Sequence, residues 1–265
     1  MTWANKQQGS SGTDASTYNF AITLPGIVTK AAAAVHWRRG ATTSISSVKI
    51  TNIDGAGTVG EITMQRLRGI IFDPAGSCSE VAIYEAALTG GSTADLQLNT
   101  AATVLRAAFQ FDTNPDIDLL GAEDVANVTA ETSNSNPLSV TVNVEIGGGL
   151  MAAATNNTQP TTAVWVGATE EATINVESQS WFGSALLDVA ATEANRTISA
   201  TLTSAGIADH CMAVVAWPPT AAAAGNPWYS YAQQRVRTFI QGWRPPLWMP
   251  GRPKLIVPKG GLIHA

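Results

Sequence analysis

Between Tyr18 and Trp217 the chain is cut into short runs with strand character, each closed by a turn signal, and this rhythm limits the fold more than any other feature. The runs are 18–24, 27–37, 44–53, 81–88, 94–99 and 105–111, then 138–146, 150–154, 163–166, 184–191, 197–202 and 211–217. Such spacing belongs to a sandwich or barrel. In Ser139 to Ile146 the apolar residues Val140, Val142, Val144 and Ile146 alternate with polar ones, so one face is core and the other meets water. Met212 to Trp217 is apolar at every position, which predicts a central strand covered on both sides. Thr89-Gly90-Gly91-Ser92 and Gly147-Gly148-Gly149 supply the positive-φ positions that tight turns require. The fold class is therefore all-β, an antiparallel sandwich region over residues 17–218, one large sandwich or two closely packed ones.

The ends are different in character. Residues 1–16 are polar and Gly/Ser-rich and read as a flexible or partner-bound leader. No signal-peptide pattern is evident there, which places synthesis in a cytoplasm. Residues 219–265 hold seven prolines and three of the eight tryptophans, so most of this stretch can be neither helix nor central strand and should be an extended arm. A short amphipathic helix is possible only between Trp228 and Gln241.

Charge separates the arm from the body. The arm carries six Lys and Arg with no Asp or Glu, leaving nine basic against twenty acidic residues in 1–218. Opposite signs favour docking of the arm on the acidic body of a neighbouring copy or on another subunit. Six charges over 47 residues are too sparse for a nucleic-acid reader, and no apolar run approaches the roughly 20 residues of a membrane helix. Only 13% of residues are charged, and the abundant Ala, Thr and Ser suit wide subunit contacts that cost little rotamer entropy. The expected partner-binding residues are Trp228, Tyr231, Arg235, Arg237, Trp243, Arg244, Leu247, Trp248, Met249 and Arg252, the residue types that dominate interface hot spots. The alternative is that the arm folds back over its own sandwich as a clasp.

The order of motifs carries a resemblance. Tyr18-Asn19-Phe20, then Ala33-Ala34-Val35-His36-Trp37-Arg38-Arg39-Gly40 and Ile45-Ser46-Ser47-Val48-Lys49-Ile50, are followed by Val81-Ala82-Ile83-Tyr84 and Gly90 to Leu98. Later come Trp165-Val166-Gly167-Ala168-Thr169-Glu170, Ser184-Ala185 and Ala213-Val214-Val215-Ala216-Trp217. Together, over residues 10–218, they resemble a sandwich domain of structural modules in tailed phages and prophages of α-proteobacteria. The resemblance implies a jelly-roll-like fold and a virion setting, with assembly in the bacterial host cytoplasm and contacts to other virion proteins and to copies of itself. Where such domains usually show a Gly-Gly pair, this chain has Asn52-Ile53-Asp54-Gly55, so that hairpin should differ.

No chemical signature rises above its plain structural reading. Gly55-Ala-Gly57-Thr-Val-Gly60 matches the spacing of a dinucleotide loop, but a helix would have to open there, and strand and helix do not alternate around it; a Gly-rich turn is expected. Asp112, Asn114, Asp116, Asp118 and Glu123 follow the oxygen spacing of a calcium loop, yet Ile117 occupies the glycine position and Pro115 stiffens the turn. They are expected to be an acidic inter-strand loop. Glu170-Glu171 reads as a solvated turn rather than a glycosidase pair. His36, His210 and His264 form no catalytic pattern. Cys78 and Cys211 lack metal spacing and read as buried thiols rather than a disulfide. No enzyme activity and no cofactor are expected. The leading expectation is a virion structural protein on a tail, baseplate or head surface; a glycan-binding or adhesion module is the alternative, with Trp165 and Trp181 as the side chains that could face a sugar.

Overall fold

The computed structural model describes residues 3–39, 45–72, 78–118, 124–130, 136–157, 161–177, 180–204 and 210–220. The arm from 221 onward, with the ten partner-binding residues and His264, lies outside them, as does Glu123. Among the described residues the protein is built of strands, with one 3-10 turn at Ile53–Gly55 and no α-helix.

The first half contains β1 (Ala4–Ser11), β2 (Ala15–Thr23), β3 (Thr29–Arg39), β4 (Ile45–Thr51), β5 (Ile62–Thr63), β6 (Gln65–Phe72), β7 (Cys78–Leu88), β8 (Thr93–Val104) and β9 (Arg106–Thr113). The second contains β10 (Asp124–Ala130), β11 (Leu138–Val144), β12 (Gly149–Asn156), β13 (Thr161–Val166), β14 (Thr169–Val176), β15 (Ser180–Asp188), β16 (Glu193–Ser204) and β17 (His210–Trp217). Every pairing among the described residues is antiparallel. The inner sheets have the orders β1-β9-β3-β7-β6 and β10-β17-β12-β15-β14; the outer sheets are β2-β8-β4-β5 and β11-β16-β13.

These orders are the same topology written twice. With β5 and β6 counted as one bent strand, each half has its first, eighth, third, sixth and fifth strands in the inner sheet and its second, seventh and fourth in the outer one. That is the strand arrangement of a jelly roll whose fifth strand has moved across to the inner sheet. In the first half the move is visible: β5 pairs with β4, and after Met64 the chain continues as β6 beside β7. The sandwich region is therefore two jelly rolls in tandem.

Three apolar layers fill the spaces between four stacked sheets. Alternation on β3 sends Ala31, Ala33, Val35 and Trp37 into the first core, while Ala32 and Ala34 enter the middle one. On β17, Ala213, Val215 and Trp217 enter the middle core, and Met212, Val214 and Ala216 the third. This is why the inner strands are apolar at every position: both their faces are covered. In the middle layer β1 lies against β14 and β6 against β10, so the halves face each other with strand order reversed, as around a pseudo-twofold axis along the strands. Equivalent loops consequently share one end of the stack.

The leader departs from expectation. Residues 4–11 are a strand paired with β9, and Trp3 is buried in the middle core. Its Nε1 donates to the Leu187 carbonyl at 3.1 Å and its ring meets Trp217 edge-on at 5.7 Å. Polar side chains suit β1 because it is an edge strand, half of whose surroundings is water. The Asn52–Gly55 hairpin also has its own geometry. Asn52 and Asp54 both adopt positive φ, and the Asp54 carboxylate accepts the backbone N–H groups of Ser92 and Thr93 at 2.8 and 3.1 Å, tying this turn to the one between β7 and β8.

Candidate functional site

The side chains with unusual chemistry collect in the middle layer, where the two jelly rolls meet. Strand alternation puts His36, Glu85, Gln110 and Asp112 on the inward face of the first half, and Ser180, Ser184 and Trp217 on the facing strands of the second. All of them are buried. Buried polar groups need partners, and for Glu85 and His36 a partner lies across the seam, while Asp112 is bonded within its own strand by Gln110.

Glu85 accepts a hydrogen bond from Trp217 Nε1 at 2.6 Å. The His36 Nδ1 is 3.0 Å from the Glu80 carbonyl, which can only accept, so Nδ1 carries the proton and Nε2 accepts from the Ser180 hydroxyl at 3.2 Å. Burial, with a smaller contribution from Arg38, pushes the His36 imidazole down to about 4 and keeps it neutral. Ser79 Oγ reaches Asn157, and Lys30 Nζ donates to the Ile117 carbonyl. On the outer side of β7, Glu80 holds Trp37 Nε1 at 2.9 Å and pairs with Arg66.

Asp112 is the least conventional group. Burial pushes its carboxyl up to about 7, nearby Glu171 adds to the rise, and Gln110 Nε2, donating at 2.9 and 3.0 Å, opposes it. The same Lys6 and Glu171 that act on it line a cleft of about 300 Å3, together with Trp3, Thr169 and Leu186 to Asp188. Two bulges face one another here, at Asn5-Lys6 of β1 and at Glu171 of β14, and Lys6 bridges to Glu171 at 2.6 Å. Asp188 accepts the Trp3 backbone N–H at 3.2 Å. Each acid of the cleft therefore joins the first half to the second.

The sequence candidates fall apart in space. Asp112 lies in β9 and faces the middle layer, whereas Asn114 Oδ1 closes a turn on the Asp116 N–H and the Asp118 N–H donates to the Pro218 carbonyl. Among the described residues no group of three or more His, Cys, Asp or Glu side chains could hold a metal ion. Gly55, Gly57 and Gly60 all have positive φ in the β4–β5 connection, and a strand follows instead of a helix. Glu170 and Glu171 are not a turn: they belong to β14, where the bulge places Glu171 toward Lys6. Trp181 is fully buried and Trp165 half-buried, both in the third core. His210 and Cys211 are buried on β17, the Cys211 thiol directed at the Ile70 carbonyl 3.8 Å away. The seam itself was missed by the sequence reading; a histidine, two glutamates and an aspartate at strand positions otherwise apolar on both faces were the available signal.

Fold and site together define a tandem jelly-roll stack whose buried titratable groups lock its halves together. Comparison with protein-family models, with curated proteins and with solved structures finds no match to this chain. No helix among the described residues is long and apolar enough to cross a membrane.

Proposed function

We propose that this chain is a virion structural protein of a tailed bacteriophage, a rigid double sandwich that is anchored to neighbouring subunits by its basic arm. The observation that supports this most is the apolar end of the stack. Ile27 and Val28 of the β2–β3 loop, Val59 of the β4–β5 loop and Ile146 of the β11–β12 loop are exposed, on loops that cluster at the end where the chain leaves β17. Apolar loop tips on a rigid block suit docking better than catalysis. The arm that starts beyond Thr220 adds the opposite charge to that of the body.

A glycan-binding module is the second reading. It needs aromatic rings that can stack on sugars, and Trp165 and Trp181 are occupied in the third core.

The arm is tested by deletion, and the structure sets where to cut. Pro218 to Thr220 pin the loop after β9, through Asp118 N–H to Pro218 O at 2.9 Å and Thr220 N–H to Asp116 O at 2.6 Å, so they must stay. Removing 221–265 should leave a folded stack with unchanged melting temperature that no longer forms the higher assembly of the full chain in light scattering. A truncated protein that melts far lower at unchanged monomeric mass would instead establish the clasp. The same preparation screened against polysaccharides should bind none.

A further inference from the structure

The two halves differ at one edge, and the difference has a consequence for assembly. In the first half the outer strand β4 is shielded. β5 pairs with it at Lys49 and Ile50, the Met64 N–H donates to the Val48 carbonyl at 2.9 Å, and Lys49 is paired with Glu61 at 2.8 Å. A short covering strand and a charged residue are two of the devices by which proteins keep an edge from recruiting other strands.

Among the described residues the equivalent strand of the second half has neither device. The β13–β14 connection is only Gly167-Ala168, the chain passes straight to the inner sheet, and nothing corresponding to β5 is made. Among the described residues β13 pairs with β16 alone. Its sequence, Thr-Thr-Ala-Val-Trp-Val, has no charge, no proline and no glycine. Val164 and Val166 are 64% and 57% exposed. Ser199 to Thr203, the β16 residues beside it, are also uncharged.

We propose that β13 is an interface strand through which a second copy of this chain adds in antiparallel fashion, joining the two outer sheets into one continuous sheet. The proposal rests on the reading of the chain as an assembly module and names a surface separate from the arm. Two features choose a second copy as the occupant. First, the body carries twenty acidic against nine basic residues, so two bodies can approach only where charge is missing, and this strand and its neighbour are such a place. Second, the strand is complementary to itself. Antiparallel pairing with Val164 opposite Val164 of the second copy puts Val166 against Thr162 on the outer face and the bulky Trp165 against the small Ala163 on the inner face, and β-branched pairs of this kind stabilise sheets.

The test uses the full chain with Val164→Cys and, separately, Val164→Lys. Mild oxidation of the cysteine variant should give a covalent dimer whose bridge maps by mass spectrometry to position 164 of both copies, because directly opposed residues have Cβ atoms close enough to be joined. The lysine variant sets two like charges opposite each other and should halve the mass seen in light scattering at tens of micromolar. Each copy should stay folded, since Val164 is largely exposed within one copy, and the variant should melt at one temperature whatever its concentration. Repeating the oxidation after removal of 221–265 separates the two ideas: a bridge that persists while higher assembly is lost supports both, and one that persists with assembly intact overturns the arm reading alone. A wild-type chain that stays monomeric, or an oligomer that Val164→Lys leaves intact and that forms no 164–164 bridge, would overturn the interface strand.

Discussion

Replacing Trp217 with alanine should destabilise the protein by about 3–5 kcal/mol, the range for truncating a large buried aromatic. The indole closes the middle core at the end of β17, stacks edge-on against Trp3 and gives its N–H to the buried Glu85 carboxylate at 2.6 Å. Alanine removes all three at once and leaves a cavity between the halves. Phenylalanine keeps most of the packing but not the donor, so Trp217→Phe should cost about 1–3 kcal/mol, the penalty for a buried polar group that loses a partner. Denaturant titration measures both. A loss below about 1 kcal/mol for the alanine variant would mean that the middle layer does not hold the halves together.

The second large effect is a pH dependence that the wild-type protein conceals. Asp112 is raised from an ordinary 3.8 to about 7, so the folded state keeps a proton that the unfolded chain has released; its contribution is complete below about 3.8 and is lost as pH climbs to 7. His36 is lowered from 6.5 to about 4, so the unfolded chain binds a proton that the folded state refuses. Its contribution is complete above about 6.5 and is lost as pH falls toward 4. Between these limits the two slopes, each about 1.4 kcal/mol per pH unit, have opposite signs and cancel.

Wild-type stability should therefore be nearly flat from about pH 4 to 6.5. Asp112→Asn uncovers the histidine, and its stability should rise by roughly 3 kcal/mol over that interval; His36→Gln uncovers the aspartate and should fall by a similar amount. Above pH 7 the asparagine variant should be the more stable of Asp112→Asn and wild type, because it no longer buries a charge. Urea unfolding at four or five pH values reads these slopes. An Asp112→Asn curve parallel to wild type would show that the carboxyl titrates normally.

The strands that could be read from the sequence and those that could not divide by position in the sheet. β3, β7, β9, β12, β15 and β17 are interior strands of the inner sheets, and the apolar residues on both faces made them visible. β1 and β14, which read as a leader and a turn, and β6 and β10, which are absent from the expected runs, are the four edges of those same sheets. Edge strands keep polar and charged residues such as Gln7, Gln8, Arg66, Arg68, Glu170 and Glu171 because one side faces water, and those residues hide the two-residue period. Two single residues differ for a related reason: Asp112 reads as part of an acidic inter-strand loop and Glu171 as part of a solvated turn because charge within a strand is rare, and both are strand residues at the seam.

The amino-acid sequence by itself determined that this protein's body is of the all-β class, because alternation and turn residues act over a few positions and need no partner to be read. It determined likewise the opposition in charge between body and arm. Tertiary structure alone decided that the body is two jelly rolls of one topology and that their inner sheets face each other. It decided too that His36 and Glu85 bond across the junction and that Asp112 is buried there, and that among the described residues β13 is paired on one side alone where β4 is covered. The junction depends on which side chains meet across a hundred or more residues, as those of Trp217 and Glu85 do between two sheets, and such contacts leave no mark in any local window of sequence.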